Sequence, residues 1–320
     1  MCIRDRPDTA QQRHGSVAIL GVFVADAAYR AARQPTMGET ILGASFALGP
    51  GGKGSNQAVA AARCNAEVSF ISRLGQDPFA QMALDMYTAE GIDARIEQTS
   101  DSYTGSAYIF IDDKTGDNAI IVCPGAAGTI SPEYIDGMAH VIERADVFVT
   151  QLEQPLDAAK HALALARKAG VITILNTAPA ESIDDGVFKL CDYVTPNETE
   201  VEAYTGVKVV SIDDAKKAGD VLLGKGVGTA LITLGEQGAL LHNAEQSVHI
   251  PAVIAGDVVE TTGAGDAFNG GFAAALAQKQ SPVDAAHFAS AVAGLSVTRA
   301  GTAPSMPTRA QVETLMAKTQ

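Results

Sequence analysis

The sequence has 320 residues, 47% of them hydrophobic and 19% charged, enough for one large α/β domain or two modest ones. Its 23 Lys and Arg against 37 Asp and Glu leave a net charge of −14, a surface that repels a phosphate backbone and argues against a nucleic-acid ligand. Cys2, Cys64, Cys123 and Cys191 fall in no CxxC spacing and the six histidines in no HxxxH pair, which argues against zinc or a disulfide framework and fits a reducing, cytoplasmic compartment.

Residues 1–13 are polar, without the apolar stretch of a secretory signal, and read as a disordered leader, native or an artefact of the gene model. The apolar run over 16–24 is too short to span a membrane and predicts a buried strand. A looser alternation over 38–48 predicts a strand with one exposed face. The Gly-rich segment 49–54 then opens an Ala-rich helix over 56–64, followed by a strand over 67–72 and a helix over 78–90. Two β-rich runs, 107–111 and 118–122, flank a polar turn and predict a hairpin outside the main sheet. Apolar runs at 147–150, 171–175, 193–195 and 230–234 alternate with helices such as 156–168 and 212–223, the rhythm of a parallel sheet covered on both faces. Long Ala- and Gly-rich helices over 264–278 and 282–298 complete the chain. The expectation is one α/β domain over 14–320: a central, mostly parallel sheet flanked by helices in three layers, with a small β-sheet lid from 25–50 and 102–124.

The densest run of unusual residues is Glu260-Thr261-Thr262-Gly263-Ala264-Gly265-Asp266-Ala267-Phe268-Asn269-Gly270-Gly271. Glycines on either side of an alanine turn tightly and leave N–H groups pointing outward at a helix start, which carries roughly +0.5 charge and suits a phosphate. Asp266 in that first turn can take a proton from a hydroxyl nucleophile, or can simply cap the helix. Neither a Walker GxxxxGK[ST] loop nor a dinucleotide GxGxxG fingerprint is present. Gly51-Gly52-Lys53-Gly54-Ser55-Asn56-Gln57 permits close backbone approach and offers Lys53 and Asn56 as donors to a polyol, or is a tight strand-to-helix connection. In Thr195-Pro196-Asn197-Glu198-Thr199-Glu200, Asn197 and Glu200 lie one turn apart, suited to a hydrated Mg²⁺ or to a plain cap. Thr233, Leu234, Gly235, Glu236, Gln237 and Gly238 run from a strand end into a turn, positioned to touch a nucleotide or to close a hairpin. Glu153 follows the strand at 147–150 and reads as a ligand for a sugar hydroxyl or a surface cap.

These motifs, in this order and together with Val297-Thr298-Arg299, Gly301 and Pro304-Ser305, make residues 16–308 resemble the ribokinase family of carbohydrate kinases. The resemblance implies ATP-dependent phosphorylation of a sugar hydroxyl, with D-ribose giving ribose 5-phosphate as the expected reaction. Deoxyribose, another pentose or hexose, or a nucleoside are the alternative acceptors. A non-catalytic sugar- or nucleotide-binding protein is a third reading, which the intact Asp266 and Gly263-Ala264-Gly265 turn disfavour. By the same resemblance Asp266 is the general base and Gly263, Ala264 and Gly265 form an anion hole. Asp26, Gly52, Lys53, Asn56 and Glu153 hold the sugar. Asn197, residues 233–238, Gly265 and Ser290 line the nucleotide, and Glu200 orders the Mg²⁺ shell. Glu260, Thr262, Ser296, Arg299, Gly301 and Ser305 surround K⁺, mostly through backbone carbonyls, and a homodimer forms through the lid. The chain departs from the family pattern at Val24, where an amide side chain is usual, at Glu260, where Asp is usual, and at Ser290, where Asn or His often stands.

Overall fold

The computed structural model of the chain describes residues 14–319, so the leader expected over residues 1–13, with Cys2, lies outside the described residues. Nine strands make the main sheet: β1 (Ser16–Leu20), β4 (Glu67–Leu74), β5 (Asp93–Gln98), β8 (Val147–Thr150), β9 (Ile172–Leu175), β10 (Tyr193–Val194), β11 (Thr229–Thr233), β12 (Ala239–Asn243) and β13 (Ser247–Ile250). Their order is β13-β12-β11-β10-β9-β8-β1-β4-β5, parallel except for the antiparallel pairs made by β12 with β11 and with β13. Side chains of β1 and β8 are buried on both faces. Val17, Ile19, Val147 and Val149 pack to one side, and Ala18, Leu20 and Phe148 to the other. That is why the sequence reads there as continuous apolar runs rather than alternation.

The first side is covered by α1 (Lys53–Arg63), α2 (Pro78–Ala89), α8 (Ala264–Ala277), α9 (Pro282–Ser296) and α10 (Arg309–Thr319). The second is covered by α3 (Pro132–Ile142), α4 (Leu156–Ala169), α5 (Asp185–Phe188), α6 (Glu198–Thr205) and α7 (Ile212–Gly224). Helix α8 is buried almost all round, so it tolerates Gly270 and Gly271, and it uses them. A Cβ on Gly270 would meet Ala60 Cβ and the Gln57 carbonyl, both at 2.5 Å. The missing methyl lets α1 and α8 touch backbone to backbone, and this contact sets the spacing of the site at their N-terminal ends.

A separate four-stranded sheet, ordered β3-β2-β6-β7, is built from β2 (Val24–Ala31), β3 (Ser45–Gly51), β6 (Thr104–Asp112) and β7 (Asn118–Gly125). The expected hairpin is β6–β7, outside the main sheet. Two boundaries differ from the sequence reading. The run over 16–24 breaks after Leu20, and Val24 is already the first residue of the lid. The strand expected over 38–48 begins only at Ser45, with 38–44 irregular and largely exposed. Hydropathy sees neither break, because the chain passes from one sheet to the other inside a single apolar run.

Candidate active site

The carboxyl ends of the parallel strands meet the N-termini of α1 and α8, where ligands sit in open α/β sheets. Helix α8 starts at Gly263, whose φ of 83° is in the left-handed region and needs no Cβ. The Ala264 N–H bonds back to the Thr261 carbonyl at 3.1 Å, so of the three turn residues expected to face an anion this one has its donor occupied. Nothing lies within 4 Å of the Cβ position of Gly265, so the turn opens to solvent there.

Asp266 is buried, 8% exposed. Its two carboxylate oxygens each accept one amide N–H from consecutive residues of α1: Oδ2 from Asn56 Nδ2 at 2.9 Å and Oδ1 from Gln57 Nε2 at 3.1 Å. Burial raises its pKa against the opposing pull of the Lys53 ammonium and these two amides. Asn56 Oδ1 is buried without a partner among the described residues, an acceptor available to a ligand hydroxyl.

Three further carboxylates act on the same lysine. Burial disfavours the Lys53 ammonium, but Asp266, Glu153, Glu200 and Asp26 together outweigh it and raise its pKa. The Lys53 backbone N–H donates to Glu153 Oε2 at 2.8 Å. Burial pushes Glu153 up to about 7, with Lys53 opposing and Asp266 and Asp26 adding. Burial, then Asp266 and Glu260, pushes Asp26 up to about 6. The Asp26 carboxyl lies over Gly51, where a Cβ would fall 2.0 Å from Oδ2. Gly52 has φ of 92°, and its Cβ would stand 2.4 Å from the Val22 carbonyl. The structure thus brings Asp26, Gly52, Lys53, Asn56, Glu153 and Asp266 together. Val24, by contrast, is 3% exposed and packs in the apolar cluster that includes Val22 and Ala107.

The remaining predicted residues fall in two neighbouring groups. Asn197 and Glu200 form a capping box at the start of α6. Asn197 Oδ1 accepts from the Glu200 N–H at 2.8 Å and Glu200 Oε2 from the Asn197 N–H at 3.0 Å. Asn197 is therefore the cap and not a residue on the helix face. Glu200 stays buried, with its pKa raised by that burial. Residues 233–238 close the β11–β12 hairpin and are tied to this group by the Thr233 N–H donating to Pro196 O at 2.9 Å. Behind them, Ser290 Oγ donates to Pro251 O at 2.8 Å, which holds the chain that packs on Gly238.

The second group joins 259–262 to 296–305. The Gly301 N–H donates to Glu260 Oε2 at 2.8 Å, and the Val259 and Glu260 N–H groups both donate to Val297 O. Ser305 Oγ donates to Thr302 O and Ser296 Oγ to Ala293 O, so these hydroxyls turn inward. The carbonyls of Glu260, Thr262, Arg299 and Gly301 accept no hydrogen bond among the described residues. Thr302 Oγ1 reaches Pro50 O at 3.0 Å, fastening this loop to lid strand β3. No cluster of three or more His, Cys, Asp or Glu suited to a metal exists among the described residues.

Sequence reasoning missed a row of polar side chains at the strand ends. Gln151 Nε2 donates to Gln57 Oε1 at 2.7 Å, Gln57 Nε2 also donates to Asn176 Oδ1 at 3.1 Å, and Asn176 Nδ2 donates to Thr195 O at 3.1 Å. The available signal was positional: Gln151 and Asn176 each follow an apolar strand run directly, at the edge where sites form.

A family model described as pfkB family carbohydrate kinase matches residues 15–309. The chain is 38% identical over 295 residues to a ribokinase of Haemophilus influenzae, an alignment covering 92% of this chain and 96% of that one. It is 36% identical over 293 residues to a deoxyribokinase of Salmonella typhimurium, covering 91% and 95%. Among solved structures, Arabidopsis thaliana ribokinase complexed with ribose and ATP superposes with a TM-score of 0.88 at 30% identity, covering 94% of this chain and 98% of that one.

Proposed function

The chain belongs to the pfkB family of carbohydrate kinases and is a sugar kinase, and from that premise we propose that it transfers the γ-phosphoryl group of ATP to a hydroxyl of D-ribose, with Asp266 as the base. The observation that carries this reading is the buried Asp266 carboxylate, anchored on both oxygens by amides and faced by Lys53 at the open N-terminus of α8. Asp266 takes the proton of the sugar hydroxyl as its oxygen bonds to the γ-phosphorus, and the bond to the bridging oxygen breaks to release ADP. The N-terminal turn of α8 faces the charge that spreads over the phosphoryl oxygens. Lys53, Asn56, Asp26 and Glu153 supply the polar contacts for the remaining hydroxyls, and residues 233–238 with Ser290 form the nucleotide side.

Magnesium would be bound with ATP, with Glu200 placed to order its water shell. The hydrated ion supplies charge neutralisation on the phosphates. Glu200 fits an indirect role, because its oxygens are already engaged at the cap and retain lone pairs for water. For K⁺, the unpaired carbonyls of Glu260, Thr262, Arg299 and Gly301 are the donor chemistry such an ion takes. Tyr29, Phe46, Leu48, Tyr108 and Ile121 leave an apolar lid surface exposed that a second copy would cover, giving a homodimer. The free thiols of Cys64, Cys123 and Cys191 suit a cytoplasmic enzyme. No helix among the described residues is long and apolar enough to cross a membrane.

A second acceptor, 2-deoxyribose, is favoured by one observation: the chain is 36% identical over 293 residues to a deoxyribokinase. The test is kcat/KM for ribose, 2-deoxyribose, fructose and adenosine, with Asp266→Asn as the control. Ribose should lead, and Asp266→Asn should lower kcat by about 10²-fold or more while ATP still binds. A tenfold lead for adenosine or a hexose overturns the acceptor, and near-normal turnover of the variant overturns the base.

A further inference from the structure

Gln57 is buried, 0% exposed, and its amide makes three hydrogen bonds that leave it only one orientation. An ionised carboxylate can only accept, so the Gln57 nitrogen must face Asp266. The Asn176 nitrogen is committed to Thr195 O, so its oxygen faces Gln57 and again requires nitrogen there. The Gln57 oxygen then takes the Gln151 N–H at 2.7 Å. Gln151 keeps that bond although its own Oε1 is left buried without a partner, where Cβ atoms on Gly21 and Gly54 would fall 2.5 and 2.7 Å from it. A buried amide oxygen is costly to leave unpaired, which marks the Gln151–Gln57 contact as the one this packing retains. The two residues come from different elements, α1 and the end of β8, and neither hydrogen-bonds to the candidate sugar ligands Lys53 or Glu153.

We infer that Gln57 is a positioning residue for phosphoryl transfer, fixing the plane of the Asp266 carboxylate through one N–H, and that Gln151 sets which end of the Gln57 amide faces the base. The inference rests on the reading of Asp266 as base. With Asn56 alone on Oδ2, the carboxylate would be free to turn about its Cβ–Cγ bond. A second donor on Oδ1 holds both oxygens, and a base off its productive geometry loses rate steeply. The N–H also stabilises the ionised form, so its removal raises the Asp266 pKa. Lys53 of α1 is the charged group that pulls the Asp266 pKa down, Asp266 in turn raises those of Asp26 of β2, Glu153 after β8 and Glu200 of α6, and none of these four hydrogen-bonds to Gln57.

The test is kcat and sugar KM from pH 5 to 9, together with Tm, for wild type, Asp266→Asn, Gln57→Met, Gln151→Met and the double variant. Gln57→Met should lower kcat by about 10- to 100-fold with KM within about threefold, and should move the acid limb of the kcat profile upward by about half a pH unit or more. Gln151→Met should move both in the same direction by less, and should add little on top of Gln57→Met. A kcat within about twofold of wild type, a lower kcat with an unmoved acid limb, or losses that multiply in the double variant each overturn the inference. Should Gln57→Met fail to fold, Gln151→Met decides alone by the same acid limb. An active Asp266→Asn defeats the underlying base assignment. An inactive Asp266→Asn beside an unaffected Gln57→Met defeats only the role of Gln57.

Discussion

Glu153→Gln should make the protein more stable in alkaline solution while weakening its grip on sugar. Glu153 is held near 7 against an ordinary value of 4.5, chiefly by burial. An acid with a raised folded pKa contributes stability below its unfolded pKa and loses that stability as pH climbs through the folded one. The window is therefore about pH 4.5 to above 7. Over that interval, at about 1.4 kcal/mol per pH unit, the wild type gives up on the order of 3 kcal/mol at this group. The glutamine carries no charge to desolvate, and its side-chain oxygen can still accept the Lys53 N–H. Lys53 loses one of its four carboxylates, which returns part of the gain. The net expectation is about 1–3 kcal/mol at pH 8, a Tm rise of roughly 1–5 °C for a chain of this size. At pH 5 the difference should shrink to below about 1 kcal/mol. Sugar KM should rise about tenfold through the lost charged hydrogen bond. Scanning calorimetry of both proteins from pH 5 to 9 is the assay. An equal offset at both ends of that range, or none at pH 8, refutes the reasoning that burial holds this carboxylate up.

Gly52→Ala should cost about 2 kcal/mol or more, since it forces a side chain into a left-handed φ and onto the Val22 carbonyl; denaturant titration reads it. Gly265→Ala is the contrast: nothing lies near its Cβ position, so Tm should hold while the KM for ATP rises. Activity in KCl should exceed that in NaCl or LiCl at equal ionic strength, and a flat response removes the monovalent-ion site without touching the kinase. Phe46→Glu places a charge on the exposed lid face and should convert a dimer to a monomer by light scattering; a wild type that is already monomeric removes the dimer proposal.

The reading of the chain was strongest where one local segment carries its own physics. The turn at Gly263 and the first residues of α8 are such a segment, because a glycine before an apolar helix supplies the positive φ that the tight turn needs. The lid hairpin is another, because its two β-rich runs share a polar turn. At Asn197 and Glu200 the reading left a metal shell and a plain cap both open, and the capping box forms. The reading failed where a segment serves two structures at once. The break after Leu20 is invisible to hydropathy because both sheets bury what they receive.

Composition and strand–helix rhythm therefore determined the fold class and the lid, and the resemblance to the ribokinase family supplied Asp26, Lys53, Glu153 and Asp266 as a set worth bringing together. Only the tertiary structure decided how Asp266 is held. Its partners lie 209 and 210 residues away, and Gln151 and Gln57 are 94 residues apart. No periodicity specifies that these side chains meet. They converge because adjacent parallel strands end at one edge of the sheet, and because Gly270, by lacking a methyl group, lets α1 come close enough to α8 for two amides to reach one carboxylate.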